Sequence, residues 1–151
     1  MAIRLGLDAK LYRNTGTIGS SLWAVIDNVR DVTLNLETGE ADVTTRGNSG
    51  WRATIGTLKD ASIEFEMVWD TEDFDFTVLK DAFFNGTPIG LLIADGDMGD
   101  AGSQGLRAVC RIINFTRSEA LEEAITVSVT AKPTYTLSPP EWLVGPIEFD
   151  A

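Results

Sequence analysis

Histidine is absent from this chain of 151 residues, and cysteine occurs once, at Cys110. Without histidine the sequence excludes Ser-His-Asp and Cys-His catalysis, together with any histidine-ligated zinc or iron site. A single cysteine also excludes a disulfide within the chain. Catalysis would have to rest on carboxylates, lysines or hydroxyls, and this inventory argues against an enzyme.

Basic residues are scarce as well. The chain has 12 Lys and Arg against 23 Asp and Glu, which gives a formal net charge of −11. A surface this acidic repels polyanions, so we expect no specific nucleic-acid binding. Repulsion would nevertheless suit a channel wall that passes DNA without holding it, because each phosphate contact adds affinity and slows release.

Long apolar runs are also missing. None approaches the ~20 residues of a membrane-spanning helix, and residues 1–8 lack the sustained apolar stretch of a signal peptide. We therefore expect no membrane partner, and folding in a cytoplasm. The length suits one domain over residues 1–151, and an apolar fraction of 44% is ordinary for a globular protein.

A regular alternation of apolar and polar side chains indicates a strand. Ile63, Phe65 and Met67 are separated by polar residues, and a half-buried strand needs this period of two because successive side chains point to opposite faces. The intervening Glu64 and Glu66 would lie on one face about 7 Å apart, near the separation used by glycosidases. Two acids on a solvated strand are far commoner than a catalytic pair, so we predict no catalytic residues.

The pattern changes from strand to helix after this segment, which covers residues 61–69. Residues 70–73, three acids and Thr71, offer capping oxygens and negative charge at a helix N-terminus. Apolar residues then recur at spacings of three and four until Asn85 and Gly86, which form a stop signal. The sequence predicts a helix over 73–84. Its apolar positions are Phe76, Leu79, Ala82 and Phe83.

Most of the remaining sequence predicts strands and turns. Strands are expected over residues 3–12, 32–36, 41–45, 89–94, 106–117 and 124–132, with a loop over 12–21 and turns at 37–40 and 57–60. The fold class is therefore mainly β: a β-sandwich or barrel with one flanking α-helix and long projecting loops. Cys110 falls in a predicted strand, and we predict that it is a small core residue, since a reactive thiol would need an activating base.

Three segments are predicted to be extended arms, at about 12–27, 32–50 and 138–151. The last contains Pro139 and Pro140, which cannot lie in a central strand. Long loops tend to be functional, and exposed apolar groups on them would become ordered against a neighbouring copy. The alternative is that the first two fold back on their own core. The predicted inter-subunit contact residues are Ile18, Leu22, Trp23, Val25, Trp51 and Trp142.

The Gly- and Asp-rich segment over 95–105 superficially resembles a calcium loop. Laid on the EF-hand pattern from Asp95, it has Asp100 where glycine is required and Leu106 where glutamate is required. A flexible connection between strands is the preferred interpretation, with weak cation binding as the alternative. We predict no metal site and no cofactor.

Several of these features together resemble the major tail tube proteins of long-tailed bacteriophages. They are Trp51, residues 56–60, the alternating strand ending at Trp69 and Asp70, the helix, and the strand over 124–134. The resemblance covers residues 25–135 in arrangement. It implies a β-sandwich or barrel with a flanking helix, an architecture shared with the type VI secretion tube protein.

The resemblance also implies a function and a set of partners. Copies would assemble into stacked hexameric rings whose inner sheet lines a channel for DNA, which passes without specific binding, and the arms would reach between rings. The protein would reside in the virion tail and meet tail-tip or initiator, tape-measure and tail-terminator proteins. The alternatives are a β-sandwich module that binds carbohydrate or calcium and, last, an acid/base enzyme that uses Glu64 or Glu66.

Overall fold

The computed structural model describes residues 3, 6, 9–15, 23–99, 101–119, 121–134 and 139–146. Within them the fold is mainly β with one α-helix, which confirms the predicted fold class. The strands are β1 (Lys10–Asn14), β2 (Trp23–Val25), β3 (Val29–Asp42), β4 (Thr54–Val68), β5 (Ile89–Ala94), β6 (Gln104–Ser118), β7 (Thr126–Pro133) and β8 (Glu141–Val144). Helix α1 (Phe74–Asn85) lies between β4 and β5, and no helix in the described part is long and apolar enough to cross a membrane.

The strands form one antiparallel sheet in the order β2-β1-β5-β6-β7-β4-β3, with β8 paired to β6. The sheet is strongly curled. Leu11 on β1 and Ile63 on β4 are four strands apart in this order, yet both belong to one cluster of buried side chains. The expected sandwich or barrel is therefore built from a single curved sheet.

Alternation along the strands creates the core on the concave face of the sheet. Ile63 and Met67 are buried, whereas Glu64 between them is exposed, as the period of two requires. Helix α1 covers this face with Phe76 and Leu79, both buried. Full burial of one such side chain stabilises the fold by about 1.5–3 kcal/mol, so the helix is fixed mainly by its apolar face.

The helix lies within one residue of its predicted limits, although its caps differ in detail. Asp73 occupies the N-cap position, but its side chain makes no capping hydrogen bond. The carboxylate of Asp70 instead accepts a hydrogen bond from the backbone N–H of Glu72 at 3.0 Å. At the other end Gly86 has a φ of 66°, and its N–H donates to the carbonyl of Ala82. Glycine suits this left-handed position because it has no Cβ.

The predicted turns at 37–40 and 57–60 are wrong, because both stretches lie inside long strands. β3 pairs with β4 from Val29 opposite Met67 to Asp42 opposite Thr54. The hairpin therefore turns at residues 43–53. Gly39 marks a bulge, where the register shifts and a Cβ would meet the hydroxyl of Thr57 at 2.6 Å. Glycine within a strand often signals such a close backbone approach rather than a turn.

Two other predicted irregular segments also contain strand. Residues 12–14, predicted as loop, belong to β1, which pairs with β2 so that Tyr12 lies opposite Val25. Residues 141–144 form β8, which adds to the beginning of β6. Sequence alone could not show this pairing, because each strand meets a partner that is distant along the chain.

Candidate functional site

The outer part of the β3–β4 hairpin projects beyond the core. We call residues 37–60 the outer hairpin, and within this stretch no residue is buried on either face of the ribbon. A two-stranded ribbon exposed on both faces is marginally stable in water by itself. Its length and exposure therefore make it a candidate for contact with another protein surface.

The tip of the hairpin, residues 43–53, has a defined conformation. The N–H of Thr44 donates to the carboxylate of Asp42 at 2.8 Å, and the N–H of Ala53 donates to the hydroxyl of Thr44 at 2.9 Å. The hydrogen bonds from the side chain and backbone of Thr44 lower the pKa of Asp42, so this carboxylate is ionised and accepting at neutral pH. The Trp51 N–H donates to the carbonyl of Asn48 at 3.0 Å. The tip is thus shaped before it meets a partner.

The tip is basic and apolar in an acidic chain. It contains Arg46 and Arg52 and no acid, whereas the whole chain has a net charge of −11. Trp51 is 78% exposed, and farther down the ribbon Leu58 is 83% exposed. Large exposed apolar groups clustered on one element mark an interaction surface more often than a solvated one.

A groove lies at the base of the same hairpin, where it meets β6 and β8. It is about 650 Å³ in volume. Its apolar lining consists of Leu36, Ala61, Leu106, Pro133, Pro139, Pro140 and Trp142. Glu37, Thr38, Lys59 and Asp60 complete the lining, and the two acids against one base give the groove edge a net negative charge. We call this surface the base groove.

The walls of the base groove are held by contacts within the chain. The indole N–H of Trp142 donates to the side-chain oxygen of Gln104 at 2.9 Å, while half of the Trp142 surface stays exposed. Arg107 pairs with Glu141 at 3.0 Å and also donates to the carbonyl of Pro139 at 3.3 Å. These bonds fix the backbone on either side of Trp142, so the aromatic face is positioned without a partner.

The convex face of the sheet opposite the core is polar. Two rows of cross-strand neighbours run across β3, β4, β7 and β6: Thr33, Glu64, Thr130 and Asn114 in one, and Arg30, Glu66, Ser128 and Thr116 in the other. Arg30 and Glu66 are 3.6 Å apart. The face consists mainly of hydroxyl, amide and carboxylate groups and presents no apolar cluster in these two rows.

This four-stranded part of the sheet has two open edges among the described strands. β3 pairs only with β4, and β6 beyond Arg111 pairs only with β7, because the pairing of β5 with β6 ends at Cys110. All pairs are antiparallel, so the two edge strands run in opposite directions. An open edge is a ready template for pairing with another chain.

The structure places the predicted contact residues in three environments. Trp51 and Trp142 are exposed, at the hairpin tip and in the base groove. Trp23 and Val25 are half-buried and pack within the chain against a cluster that contains Tyr12. Ile18 and Leu22 lie outside the described residues. An inter-subunit role for these six side chains stays a prediction.

The sequence reasoning missed Leu58, the two tip arginines and the proline wall of the base groove. The predicted turn at 57–60 includes Leu58, and a leucine in a turn does not by itself indicate a contact surface. A signal was available in the charge pattern, since residues 43–53 contain bases and no acids. The groove could not be found, because its walls come from segments about 30 to 100 residues apart.

The other candidate chemistries gain no support from the geometry. Among the described residues no three Asp, Glu or Cys side chains are placed to hold a metal ion. In the 95–105 segment Asp95 accepts a hydrogen bond from the N–H of Gln104, and Asp97 accepts one from Gly99, both at 2.9 Å. These carboxylates stabilise the connection between strands. Cys110 is buried, and burial raises the pKa of its thiol to about 12.

Comparison with known proteins identifies the fold. No family model and no curated protein matches the sequence. Among solved structures, the tail of an empty gene transfer agent (GTA) particle, refined helically with C6 symmetry, has a TM-score of 0.69 at 19% identity, covering 90% of this chain and 98% of that one. The virion of a native GTA particle has a TM-score of 0.70 at 16% identity, covering 94% of this chain and 100% of that one. The SPP1 tail tube gives 0.71 at 15% identity, covering 98% and 81%. The chain therefore has the fold found in these three structures, which confirms the fold that the sequence resemblance implied.

Proposed function

We propose that this chain is a structural subunit of a tail tube, in which copies close into hexameric rings that stack around a channel for DNA. The proposal is supported by a fold shared with a GTA tail, a GTA virion and the SPP1 tail tube, each of which matches at least 90% of this chain. One of those tails has C6 symmetry. The observation that carries the proposal is the four-stranded sheet β6–β7–β4–β3 with an open strand at each edge.

Edge-to-edge pairing explains how copies would close into a ring. The free edge of β3 in one copy would pair with residues 111–118 of β6 in the next, and the alternation of strand directions would continue across the junction. Such a contact is head-to-tail, so it closes only if the rotation between copies fits a whole ring. Closure would pair both open edges of this four-stranded part of the sheet, which would remove an aggregation risk of the monomer.

The dimensions of the closed ring suit a channel. Six copies that each contribute four strands form a barrel of 24 strands. At a spacing of about 4.8 Å per strand, such a barrel is about 37 Å or more across between backbones, and strand tilt widens it further. A barrel of this size is too wide for its inward side chains to fill, so it would enclose an open passage.

The polar convex face is the surface that would line this passage. Its two central rows present Glu64 and Glu66 with hydroxyl and amide neighbours, and Arg30 lies 3.6 Å from Glu66. The exposed Lys132 beside these rows shares a pocket with Glu37 and Asp60, so both bases have acids nearby. Because phosphate contacts supply most of the affinity for DNA, a wall of this kind would let DNA slide without retention. Helix α1, on the other face of the sheet, would lie on the outside of the tube.

The proposed role is structural rather than catalytic, with the chain acting as one domain in the tail of a virion. Tail-tip or initiator proteins would bind the first ring, a tape-measure protein would lie in the lumen, and a tail terminator would bind the last ring. These partners are inferred from the family resemblance. Each would meet an end or the inner wall of the tube.

The first test is negative-stain electron microscopy with light scattering over a range of protein concentrations. We expect hollow tubes or rings whose averages have sixfold symmetry. The variant Ile113→Pro should abolish them, because proline lacks an N–H and interrupts the segment of β6 that would pair with the next copy. Ile113 is 52% exposed and occupies a bulge in the β6–β7 ladder, so the substitution should cost the isolated subunit little stability.

A matched proline variant distinguishes the loss of edge pairing from a general effect of proline on the fold. Leu121→Pro changes a fully exposed turn residue outside every strand, and this variant should assemble like the original chain. Circular dichroism should show the same fold for both variants. A chain that stays monomeric at every concentration would contradict the proposal, and tubes formed equally well by Ile113→Pro would contradict the edge-pairing mechanism.

A further inference from the structure

The tip of the outer hairpin and the base groove are complementary surfaces at opposite ends of one ribbon. We propose that the hairpin tip of one copy docks in the base groove of a second copy in the adjacent ring, with Trp51 against the wall formed by Trp142 and Pro140. This inference rests on the proposed tube function, and it names the contact that would join one ring to the next.

The first argument is chemical fit. The tip offers a large aromatic side chain that is 78% exposed, and the groove offers an exposed indole and neighbouring proline rings. Aromatic groups seated in apolar pockets supply most of the binding energy in protein interfaces, with tryptophan among the residues enriched there. Proline walls add apolar area at little entropic cost, because the ring is already rigid.

The second argument is charge. Arg52 follows Trp51 directly, Arg46 lies in the same tip, and the tip has no acid. The groove carries Glu37 and Asp60 at its edge, with Lys59 as its one basic lining residue. Bases on one surface and a net negative edge on the other direct two copies into one orientation and disfavour contact between two tips.

The third argument is geometry. Leu36, in the groove, and Asp42, at the start of the tip, are six residues apart on β3, which corresponds to about 20 Å of strand. The ribbon is paired along this length, so the tip cannot fold back into its own groove. A contact between different surfaces of identical copies is heterologous and repeats along a line. Tip-to-groove docking therefore propagates in the direction of the hairpin.

The tip is already ordered, so docking costs little conformational entropy. Its conformation is already set by the Asp42–Thr44 and Thr44–Ala53 hydrogen bonds. A surface that is shaped before contact loses less conformational entropy on binding, so more of the contact energy appears as affinity. The exposed ribbon, marginal by itself, gains a partner along its length in the same step.

Disulfide cross-linking tests the contact directly. In a double variant with Gly47→Cys and Pro139→Cys, which keeps Trp51, Trp142 and Pro140, mild oxidation of assembled tubes should join copies into a ladder of multimers on a non-reducing gel. A Cβ at Gly47 is accommodated, because its nearest neighbour is the hydroxyl of Thr45 at 3.5 Å. The native Cys110 is buried and does not interfere. The matched control, Gly47→Cys with Leu121→Cys, should give no such ladder, because Leu121 is exposed in the turn between β6 and β7, at the other end of the ladder from Pro133 in the groove.

A charge exchange provides an independent readout. Arg52→Glu should leave short rings in place of long tubes, by light scattering and electron microscopy. Adding Asp60→Arg to that variant should restore long tubes, because the attraction is rebuilt with opposite signs. Lys80→Glu, on the outer surface of α1, reverses the same charge elsewhere and should leave tube length unchanged.

The outcomes distinguish this inference from the function on which it rests. If the unmodified chain forms no rings or tubes, the proposed function fails with it. If tubes form but the cross-link ladder is absent, the tube role stands and the docking proposal is overturned. A ladder from Gly47→Cys alone would indicate contact between two tips, and it would overturn the proposal as well.

Discussion

Cys110 illustrates how position in the sheet decides the chemistry of one residue. It lies on β6 between Ile89 on β5 and Pro133 on β7, with its side chain fully buried. Burial disfavours the charged thiolate and raises the pKa of the thiol to about 12. At pH 8 only roughly one molecule in ten thousand would then carry a thiolate, and the thiolate is the form that reacts.

We therefore predict that Cys110 does not react measurably with thiol reagents in the folded protein. Labelling by a chromogenic disulfide at pH 8 should be at least a thousandfold slower than in denaturant, where the thiol regains its ordinary pKa. The exposed thiol of Trp51→Cys serves as the internal standard. Comparable rates for Cys110 and that standard in the folded state would contradict the burial of the thiol.

At this scale the sequence predicts burial better than partners. The placement of Cys110 as a small core residue is confirmed, because the alternation around it is local and regular. Trp23 was placed on a free arm, yet it lies opposite Asn14 in the β1–β2 ladder. The residues that form this ladder are separated by a segment with no periodic pattern, so a single sequence carries no trace of their register.

At the scale of elements, an ion pair joins β1 to the first turn of α1. Arg13 is 7% exposed, and its guanidinium donates to the carboxylate of Asp75 at 2.8 and 2.9 Å. The same guanidinium lies 5.4 Å from the centre of the Phe74 ring. Asp75 also carries a negative charge at the helix N-terminus, where the macrodipole favours it. This pair fixes the helix over a strand that is distant in sequence.

We predict that Asp75→Asn lowers the free energy of unfolding by about 2–3 kcal/mol, since it leaves a buried guanidinium without its counter-charge. The estimate is below the full cost of breaking a buried pair because the Asp75 side chain is 17% exposed. Asp81→Asn is the matched control on the same helix. Its side chain is exposed and pairs only with the adjacent Lys80, so the change should stay within about 0.5 kcal/mol. Urea denaturation measures both, and equal effects would show that Arg13 gains nothing from Asp75.

Some elements are predicted more accurately than others. The accurate ones are specified by residues close together in sequence, and the others depend on a distant strand partner. The helix was placed to within one residue because its apolar spacing and the Gly86 stop are all local. The hairpin turn was misplaced by several residues because Gly39 has the composition of a turn and the geometry of a bulge. Only the cross-strand partner distinguishes these two, and the partner is set by the ladder as a whole.

At the scale of the whole molecule, the sheet separates two chemistries. The concave face holds the core and the helix, and the convex face holds hydroxyls, amides and the two glutamates of β4. Composition predicted an acidic protein suited to a DNA passage, but it could not assign the acids to a face. The assignment needed the order β3-β4-β7-β6, which brings segments up to about 100 residues apart into neighbouring rows.

This assignment leads to a prediction about DNA. Glu64 lies between Thr33 and Thr130 with no base opposite, so Glu64→Lys changes the charge of the face without creating a new ion pair. In a hexameric ring the substitution adds six lysines to one belt of the channel wall. Short duplex DNA should then be retained by assembled tubes at low salt and released as salt rises, because each phosphate contact binds through counterion release. Fluorescence anisotropy of labelled DNA over a salt series measures the effect.

The arrangement of the sheet determines which controls have meaning. Asp81→Lys makes the same charge change on helix α1, on the other face of the sheet, and tubes of this variant should retain no DNA beyond the original chain. Unassembled Glu64→Lys subunits should also bind weakly, because one added lysine on an acidic monomer cannot match a ring of six. Retention that depends on both the face and the assembly would identify the convex face as the channel wall. Equal retention by the two variants would instead place the convex face outside the channel.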